Sequence, residues 1–311
     1  MELIAHSYRG DEDYWRIRTF LREVLPLYGM RERCWDVIRW DYWRWHGIEN
    51  IEHLRLEEVV TLWETPEGRI AAVLTPEGIG QAFLHVHPDF KTPELETEMI
   101  ALAEQRLVRT NENGKHTLNV WANQHDELRQ RLLAGRGYAR GDWPEYQRRR
   151  TLDGPIPESI LPPGYTIVPQ GDGAQLLERC YASGLAFHPG DIQYAIDNRA
   201  DVTWYRNIQR APLYRRDLDM NALAPDGACA AFCTVWFDDV TRTGVFEPVA
   251  TVPAHQRKGL GRALMFAGLR RLQLLGATLA YVGSYSEGAG ALYASAGFTD
   301  YELCEQWVKS F

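Results

Sequence analysis

Residues Gly244 to Leu264 read GVFEPVATVPAHQRKGLGRAL, and this stretch decides the fold. Val245, Phe246, Val249, Thr251 and Val252 favour extended backbone, so its left half reads as a strand. Pro253 ends that strand, having no N–H to give to a sheet. Gln256-Arg257-Lys258-Gly259-Leu260-Gly261 follows, and then the spacing turns helical. Leu260, Leu264, Gly268, Leu272 and Leu275 share one face, from which Arg262, Arg270 and Gln273 turn away. A strand, a basic glycine-bearing loop and a helix start together form an anion site, because inward N–H groups and the helix dipole favour negative charge. The spacing also fits an ordinary tight strand-to-helix connection. A Walker loop is excluded, since Arg262 and Ala263 stand where Lys and Ser or Thr should be. A dinucleotide fingerprint fails too, with Leu264 in place of its third glycine.

Gln256-x-x-Gly259-x-Gly261 after a strand ended by Pro253 resembles motif A of the GNAT superfamily of N-acetyltransferases. Ala291-Leu292-Tyr293-Ala294-Ser295-Ala296-Gly297-Phe298 resembles the superfamily's second signature, a leucine–tyrosine pair shortly before Gly-Phe. The resemblance covers the C-terminal half directly and implies that acetyl-CoA is the cosubstrate. It further implies that the loop amides of Gln256, Arg257, Lys258, Gly259, Leu260, Gly261 and Arg262 hold the diphosphate. Backbone groups of Val249, Ala250 and Thr251 would hold pantetheine and polarise the thioester, and Tyr293 would protonate the departing thiolate. One position departs from the pattern: Ser286 stands seven residues before Tyr293, where the family often has Asn. That puts one cofactor-facing side-chain contact in question, though not the fold.

A chain of 311 residues suits two domains of about 150 each. Apolar residues make up 45%, enough for real cores. No apolar run approaches the ~20 residues of a membrane span, and MELIAHSYRGDED lacks the basic-then-apolar layout of a signal peptide. Five irregularly placed cysteines make no disulfide framework, so the expected location is the reducing cytoplasm. Cys229 and Cys233 are spaced to share one strand face, which favours core packing over metal binding. The net charge of −8 argues against a nucleic-acid partner.

Along the chain, a helix entered at Asp11 carries Trp15, Ile17, Phe20, Leu21 and Val24. Cys34 to His46 then interleaves tryptophans with arginines, a pattern for stacking on a ligand or for packing against a second domain. Strands are expected at Val59–Trp63, Ile70–Thr75, Phe83–His87 and Leu118–Trp121, with helices from Thr92 and Asp126. His85 and His87 share a strand face, but no further metal ligand is in sight. Residues 151–164, with four prolines, read as a linker between domains 1–150 and 165–311. The second round repeats the first: strand, helices, antiparallel strands, strand–loop–helix, strand, helix, and a closing strand near Glu302 to Val308. Aligning Pro88 with Pro253 sets Met99 on Leu264 and Leu107 on Leu272. The expected fold is therefore α/β (α+β): two tandem GNAT-like domains, each a mixed, mostly antiparallel sheet flanked by helices. This resembles the tandem layout of mycothiol synthase-like acetyltransferases.

Acyl transfer to an amine requires loss of the amine proton, stabilisation of an oxyanion and departure of a thiolate. Glu247 lies two residues before Val249 on the motif-A strand, so it is either the base or an ion-paired edge residue. Tyr293 is either the acid or a ring packed beside Phe298. His188 and Asp191, after the first helix of the second round, are candidates for lining the acceptor site. The expected reaction is acetyl transfer to a primary amine of a small molecule or peptide, by direct attack in a ternary complex. The other reading is a non-catalytic acyl-CoA sensor with the same fold; a ligase using aminoacyl-tRNA is disfavoured by the acidic charge. In the first round Lys91, Glu94 and Glu96 fall where Gln256, Gly259 and Gly261 stand, and Leu133 falls opposite Tyr293. Two carboxylates would stand where a diphosphate needs bare backbone, so the first domain is expected to lack a cofactor site.

Overall fold

The computed structural model describes residues 2–110 and 112–311. In chain order the elements are β1 (Ile4–Ser7), α1 (Asp11–Leu27), α2 (Val37–Tyr42), α3 (Leu56–Val59), β2 (Thr61–Glu64), β3 (Ile70–Thr75), β4 (Gln81–Val86), α4 (Pro93–Arg106), β5 (Arg109–Thr110), β6 (His116–Asn123), α5 (Glu127–Gly135) and β7 (Ala139–Arg140). After them come β8 (Glu145–Thr151), β9 (Thr166–Pro169), α6 (Ala174–Phe187), α7 (Ile192–Asn198), α8 (Thr203–Gln209), β10 (Asp219–Leu223), β11 (Cys229–Asp238), β12 (Thr243–Thr251), α9 (Leu260–Leu274), β13 (Leu279–Ser284), α10 (Glu287–Ser295) and β14 (Asp300–Ser310). Two compact units result: one ends at Gln147 and regains Glu302–Phe311, and the other is Arg148–Tyr301.

These boundaries differ from a division at residues 150 and 165. The closing strand β14 pairs antiparallel with β6, from Cys304↔Asn123 to Ser310↔Thr117, and so completes the sheet of the first unit. The proline-rich segment belongs to the second unit. Ile156 and Leu161 pack against its core, and Ser159 Oγ donates to Ala263 O at 2.7 Å.

In the first unit β1, β2, β3 and β4 pair antiparallel in succession, and β4 meets β6 in parallel over only Gln81↔Asn119 and Ala82↔Val120. Helix α1 buries Tyr14, Ile17, Leu21 and Val24, the stripe its spacing dictates. The tryptophan-rich segment is core of this unit. Asp36 caps α2 by accepting from Ile38 N and Arg39 N, and Trp35, Trp40 and Trp43 are buried. The Trp35 ring lies 5.0 Å from Phe83 and 5.1 Å from His85, centroid to centroid. Arg39 sits over Trp35 and Phe83 while pairing with Glu77 and Glu145, so the arginines of the segment serve packing.

The two strand histidines are held by hydrogen bonds: His85 Nδ1 accepts from Trp35 N at 3.2 Å and its Nε2 lies 2.9 Å from Thr75 Oγ1, while His87 Nδ1 accepts from Asp89 N. Burial, with Arg129 and Arg39 adding to it, pushes the His85 imidazole down to about 3. Folding thus requires neutral His85. This contribution is complete above the unfolded value of 6.5 and is lost as pH falls toward 3, at up to about 1.4 kcal/mol per pH unit. The unfolding free energy of His85→Gln, from denaturant titrations between pH 7 and pH 4, should fall less steeply than that of the wild type by about that slope. Equal slopes would exclude His85 as the titrating group.

In the second unit β9, β10, β11 and β12 pair antiparallel, and β12 pairs with β13 in parallel. Its main core joins β10, β11 and β12 to α9 and α10. Cys229 and Cys233 do not share a core. A register shift against β10 between Ala222 and Leu223 turns Cys229 to a smaller cluster with Ala182, Phe232 and Val252, while Cys233 stays in the main one. No helix among the described residues is long and apolar enough to cross a membrane.

Candidate active site

The parallel pairing of β12 with β13 covers only Thr243↔Leu279, Gly244↔Ala280 and Val245↔Tyr281. Beyond it β12 continues to Thr251, paired through Val249, Ala250 and Thr251 to Cys233, Phe232 and Ala231 of β11 on its other side. The edge facing β13 is therefore open from Glu247 to Thr251, and these residues are half-buried. A bulge opposite Cys233–Val235 accommodates Glu247 and Pro248, and bulges re-aim the side chains they carry. Trp236 Nε1 donates to the backbone oxygen of Glu247 at 2.6 Å and pins this bulge.

Past Pro253 the chain turns through Arg257 (φ 64°) and Gly259 (φ 80°), which stands at the N-cap of α9. No side chain caps this helix, and Ala263 N is the first to find an intrahelical acceptor, Gly259 O at 3.0 Å. The amides before it are orphan donors at the positive end of the dipole. Arg257, Lys258 and Arg262 are exposed around them. Lys258 Nζ is steered by Tyr165 Oη at 3.2 Å and Ala254 O at 3.3 Å, and Gln256 Nε2 donates to Thr251 O at 3.2 Å. Gly261 is buried, and a Cβ there would meet Leu292 Cδ2 at 3.2 Å and Thr251 Oγ1 at 3.5 Å. Its missing side chain thus lets the loop, the end of β12 and α10 close on one another.

Tyr293 lies in α10, 7% exposed within the main core. The Gly-Phe pair after it is a helix stop: Phe298 N donates to Tyr293 O and Gly297 N to Ala294 O, with Gly297 at φ 87°. Burial, then the Glu247 carboxylate and Cys233, raises the Tyr293 phenol, so it keeps its proton throughout the working range. The structure thus brings Glu247, Val249–Thr251, the loop and Tyr293 around one open strand edge. Ser286 is placed differently, at the N-cap of α10, where its Oγ accepts from Ala289 N at 3.3 Å. Asp191 likewise caps α7 by accepting from Tyr194 N, and His188 stacks on Tyr194 at 3.7 Å.

A group that the motif reading passed over lies where α6 packs on β11. Asp219 is fully buried and accepts from Tyr205 Oη (2.7 Å), Tyr214 Oη (2.8 Å) and Thr234 Oγ1 (3.0 Å). Arg179 is buried beside Tyr205 and Phe232. The signal was an arginine within the apolar stripe of α6, between Leu176 and Ala182.

The first unit carries a counterpart of this architecture. Tyr138 N donates to Leu133 O and Gly137 N to Ala134 O, the same helix stop, with Leu133 where Tyr293 stands. Past Ala82↔Val120 its strands part, and the rings of Phe83 and Trp121 stack there at 5.5 Å and 9°. The start of α4 is capped by Thr92 Oγ1 and bears Glu96, fully buried and paired with Arg129 at 2.8 Å and Lys91 at 3.4 Å.

A split parallel strand pair, an uncapped glycine loop and a tyrosine held by a helix stop thus stand together in the second unit. Residues 192–298 match the sequence model of the acetyltransferase (GNAT) family, and this segment is a GNAT acetyltransferase domain. The chain is 26% identical over 253 residues to the mycothiol acetyltransferase of Pseudarthrobacter chlorophenolicus, covering 76% of this chain and 72% of that one. It is 31% identical over 199 residues to the mycothiol acetyltransferase of Frankia alni, covering 58% and 57%. Among solved structures, a GCN5-related N-acetyltransferase from Sphaerobacter thermophilus superposes with a TM-score of 0.67 at 18% identity, covering 99% of this chain and 95% of that one. A tandem GNAT protein from the clavulanic acid biosynthesis pathway gives 0.65 at 16%, covering 99% and 98%. These last two establish likeness of fold.

Proposed function

We propose that the second unit transfers an acetyl group from acetyl-CoA to a primary amine of a small molecule or peptide, by direct attack in a ternary complex. The observation that carries this reading is the open edge of β12 from Glu247 to Thr251, lying between an uncapped helix start and Tyr293. Orphan amides from Gly259 to Arg262 hold the diphosphate. The free edge at Val249, Ala250 and Thr251 pairs with the amides of pantetheine as an added strand would, and a backbone N–H there polarises the thioester carbonyl. Glu247 accepts the proton that the amine loses as nitrogen bonds to the thioester carbon. The carbon–sulfur bond then breaks, and Tyr293 hands its phenolic proton to sulfur and regains one from solvent. The relatives' name makes the free amine of unacetylated mycothiol the first acceptor to try.

In this reading the first unit has no cofactor site, because Glu96 and its partners occupy the helix start and the Phe83–Trp121 stack stands at the strand gap. Calorimetric titration with acetyl-CoA should give one site per chain. Two sites would overturn the account of the first unit. Release of free thiol, followed across a panel of amines, tests the reaction itself. Tight acetyl-CoA binding without transfer to any amine would make the protein a sensor of acyl-CoA instead.

A further inference from the structure

Two residues of β12, Glu247 and Pro248, stand opposite one of β11, Thr234, because the register passes from Val235↔Phe246 to Cys233↔Val249. The extra residue changes the way the strand faces. Phe246 and Val249 are three positions apart and would point to opposite sides of a regular strand, yet both pack into the main core. Glu247 therefore leaves the strand at an angle that the bulge sets. Burial raises the Tyr293 phenol first and the Glu247 carboxylate adds to it, so the two groups stand within electrostatic reach of each other. A bulge interrupts the ladder of hydrogen bonds, and Pro248 has no N–H with which to mend it. The bond comes from a side chain instead: Trp236 Nε1 donates to Glu247 O at 2.6 Å.

Trp236 is itself held. It is fully buried, and its ring lies 6.0 Å from that of Tyr214 at 69°. Tyr214 Oη donates to Asp219 at 2.8 Å and accepts from Gln209 Nε2 at 3.2 Å. Asp219 also accepts from Thr234 Oγ1 at 3.0 Å. One carboxylate thus holds both the residue opposite the bulge and the ring that lies against Trp236. Burial, then Asp219, raises the Tyr214 phenol, which keeps its proton and remains a donor. A core built for stability alone would be served as well by apolar side chains here, since buried charge is weak evidence of stability. A connected polar network fixes one geometry, and the group whose geometry this one fixes is the bulge that carries Glu247.

We propose that Trp236 is a positioning residue for Glu247: its indole N–H, backed by Tyr214 and Asp219, holds the bulge from which Glu247 takes the proton of the amine. This rests on the acetyltransferase reading above. Trp236→Phe removes the donor and keeps a ring. It should lower kcat by about tenfold to a hundredfold, the cost of misplacing a reacting group by up to ~1 Å, while the KM for acetyl-CoA changes less than about threefold. Tyr214→Phe keeps the ring beside Trp236, loses the bond to Asp219, and should act in the same direction with a smaller loss. The deciding measurement is a double-mutant cycle with Glu247→Gln. If Trp236 acts through Glu247, then Trp236→Phe should cost less than about threefold in kcat once Glu247 is Gln, because residues that act as a unit are not additive. Should Trp236→Phe fail to fold, Tyr214→Phe carries the same cycle. Amide hydrogen exchange needs no turnover: segment 244–252 should exchange at least about tenfold faster in the variant, as a loosened strand does, and α9 should not.

Losses that multiply in the cycle overturn the proposal, since Trp236 then serves the fold and not the base. A raised KM for acetyl-CoA with kcat unchanged also overturns it and moves the role of Trp236 to the cofactor edge. If Glu247→Gln itself leaves kcat within about threefold, Glu247 is no base; the proposal falls while acetyl transfer stands. If the wild type acetylates no amine, the acetyltransferase reading falls, and faster exchange in the variant then makes Trp236 a folding residue only.

Discussion

Tyr293→Phe should lower kcat by about 10²–10⁴, the usual contribution of a positioned general acid, with the KM for acetyl-CoA and the Tm close to wild type. The ring is embedded in the main core, and the backbone of Tyr293 is held by Phe298 N, so Phe preserves both packing and helix stop. What the substitution removes is one hydroxyl whose proton is retained by burial and by the Glu247 carboxylate. Loss of the acid leaves the thiolate to depart with a proton from water, which slows chemistry without touching the diphosphate loop. An acetyl thioester of a more acidic thiol should narrow the gap between variant and wild type. A change under about threefold, with chemistry rate-limiting, would make Tyr293 a packing residue, since that falls far below the acid contribution.

The loop and the helix stop were legible in the sequence because both are punctuation. Gly259 and Gly297 occupy positive φ, and Pro253 ends a strand, so each leaves a local mark that needs no distant partner. The open edge of β12 was legible only through family resemblance. That edge exists because β13 stops pairing after Tyr281, a matter of where two strands part, and strand propensity is silent on it. The home of β14 was illegible for a similar reason. Its alternation marks a strand with one buried face, but its partner is β6, far back in the chain. The tryptophan-rich segment misled through composition, since aromatics beside arginines read alike on a ligand-binding surface and in a core. Arg179 was readable, as a lone charge in an apolar stripe, but no motif drew attention to it.

Gly261→Glu should abolish acetyl-CoA binding in a protein that still folds. A carboxylate beside the diphosphate opposes it by about 4 kcal/mol per charge pair at ~4 Å, on the order of a thousandfold in Kd. Gly261→Ala is the control for sterics, because its Cβ requires Leu292 to yield by only a few tenths of an ångström and should leave binding measurable. The first unit shows what the glutamate lacks. There Glu96, which aligns with Gly261, is fully buried yet stable because Arg129 of α5 meets it at 2.8 Å. Arg129 aligns with Ala289 when the two Gly-aromatic helix stops are superposed, so Gly261→Glu alone buries a carboxylate with no such partner. Adding Ala289→Arg should therefore recover Tm without recovering acetyl-CoA affinity, separating the folding role of this ion pair from the binding role of the bare loop. Unchanged affinity in folded Gly261→Glu, or restored affinity in the double variant, would remove the loop from the cofactor site.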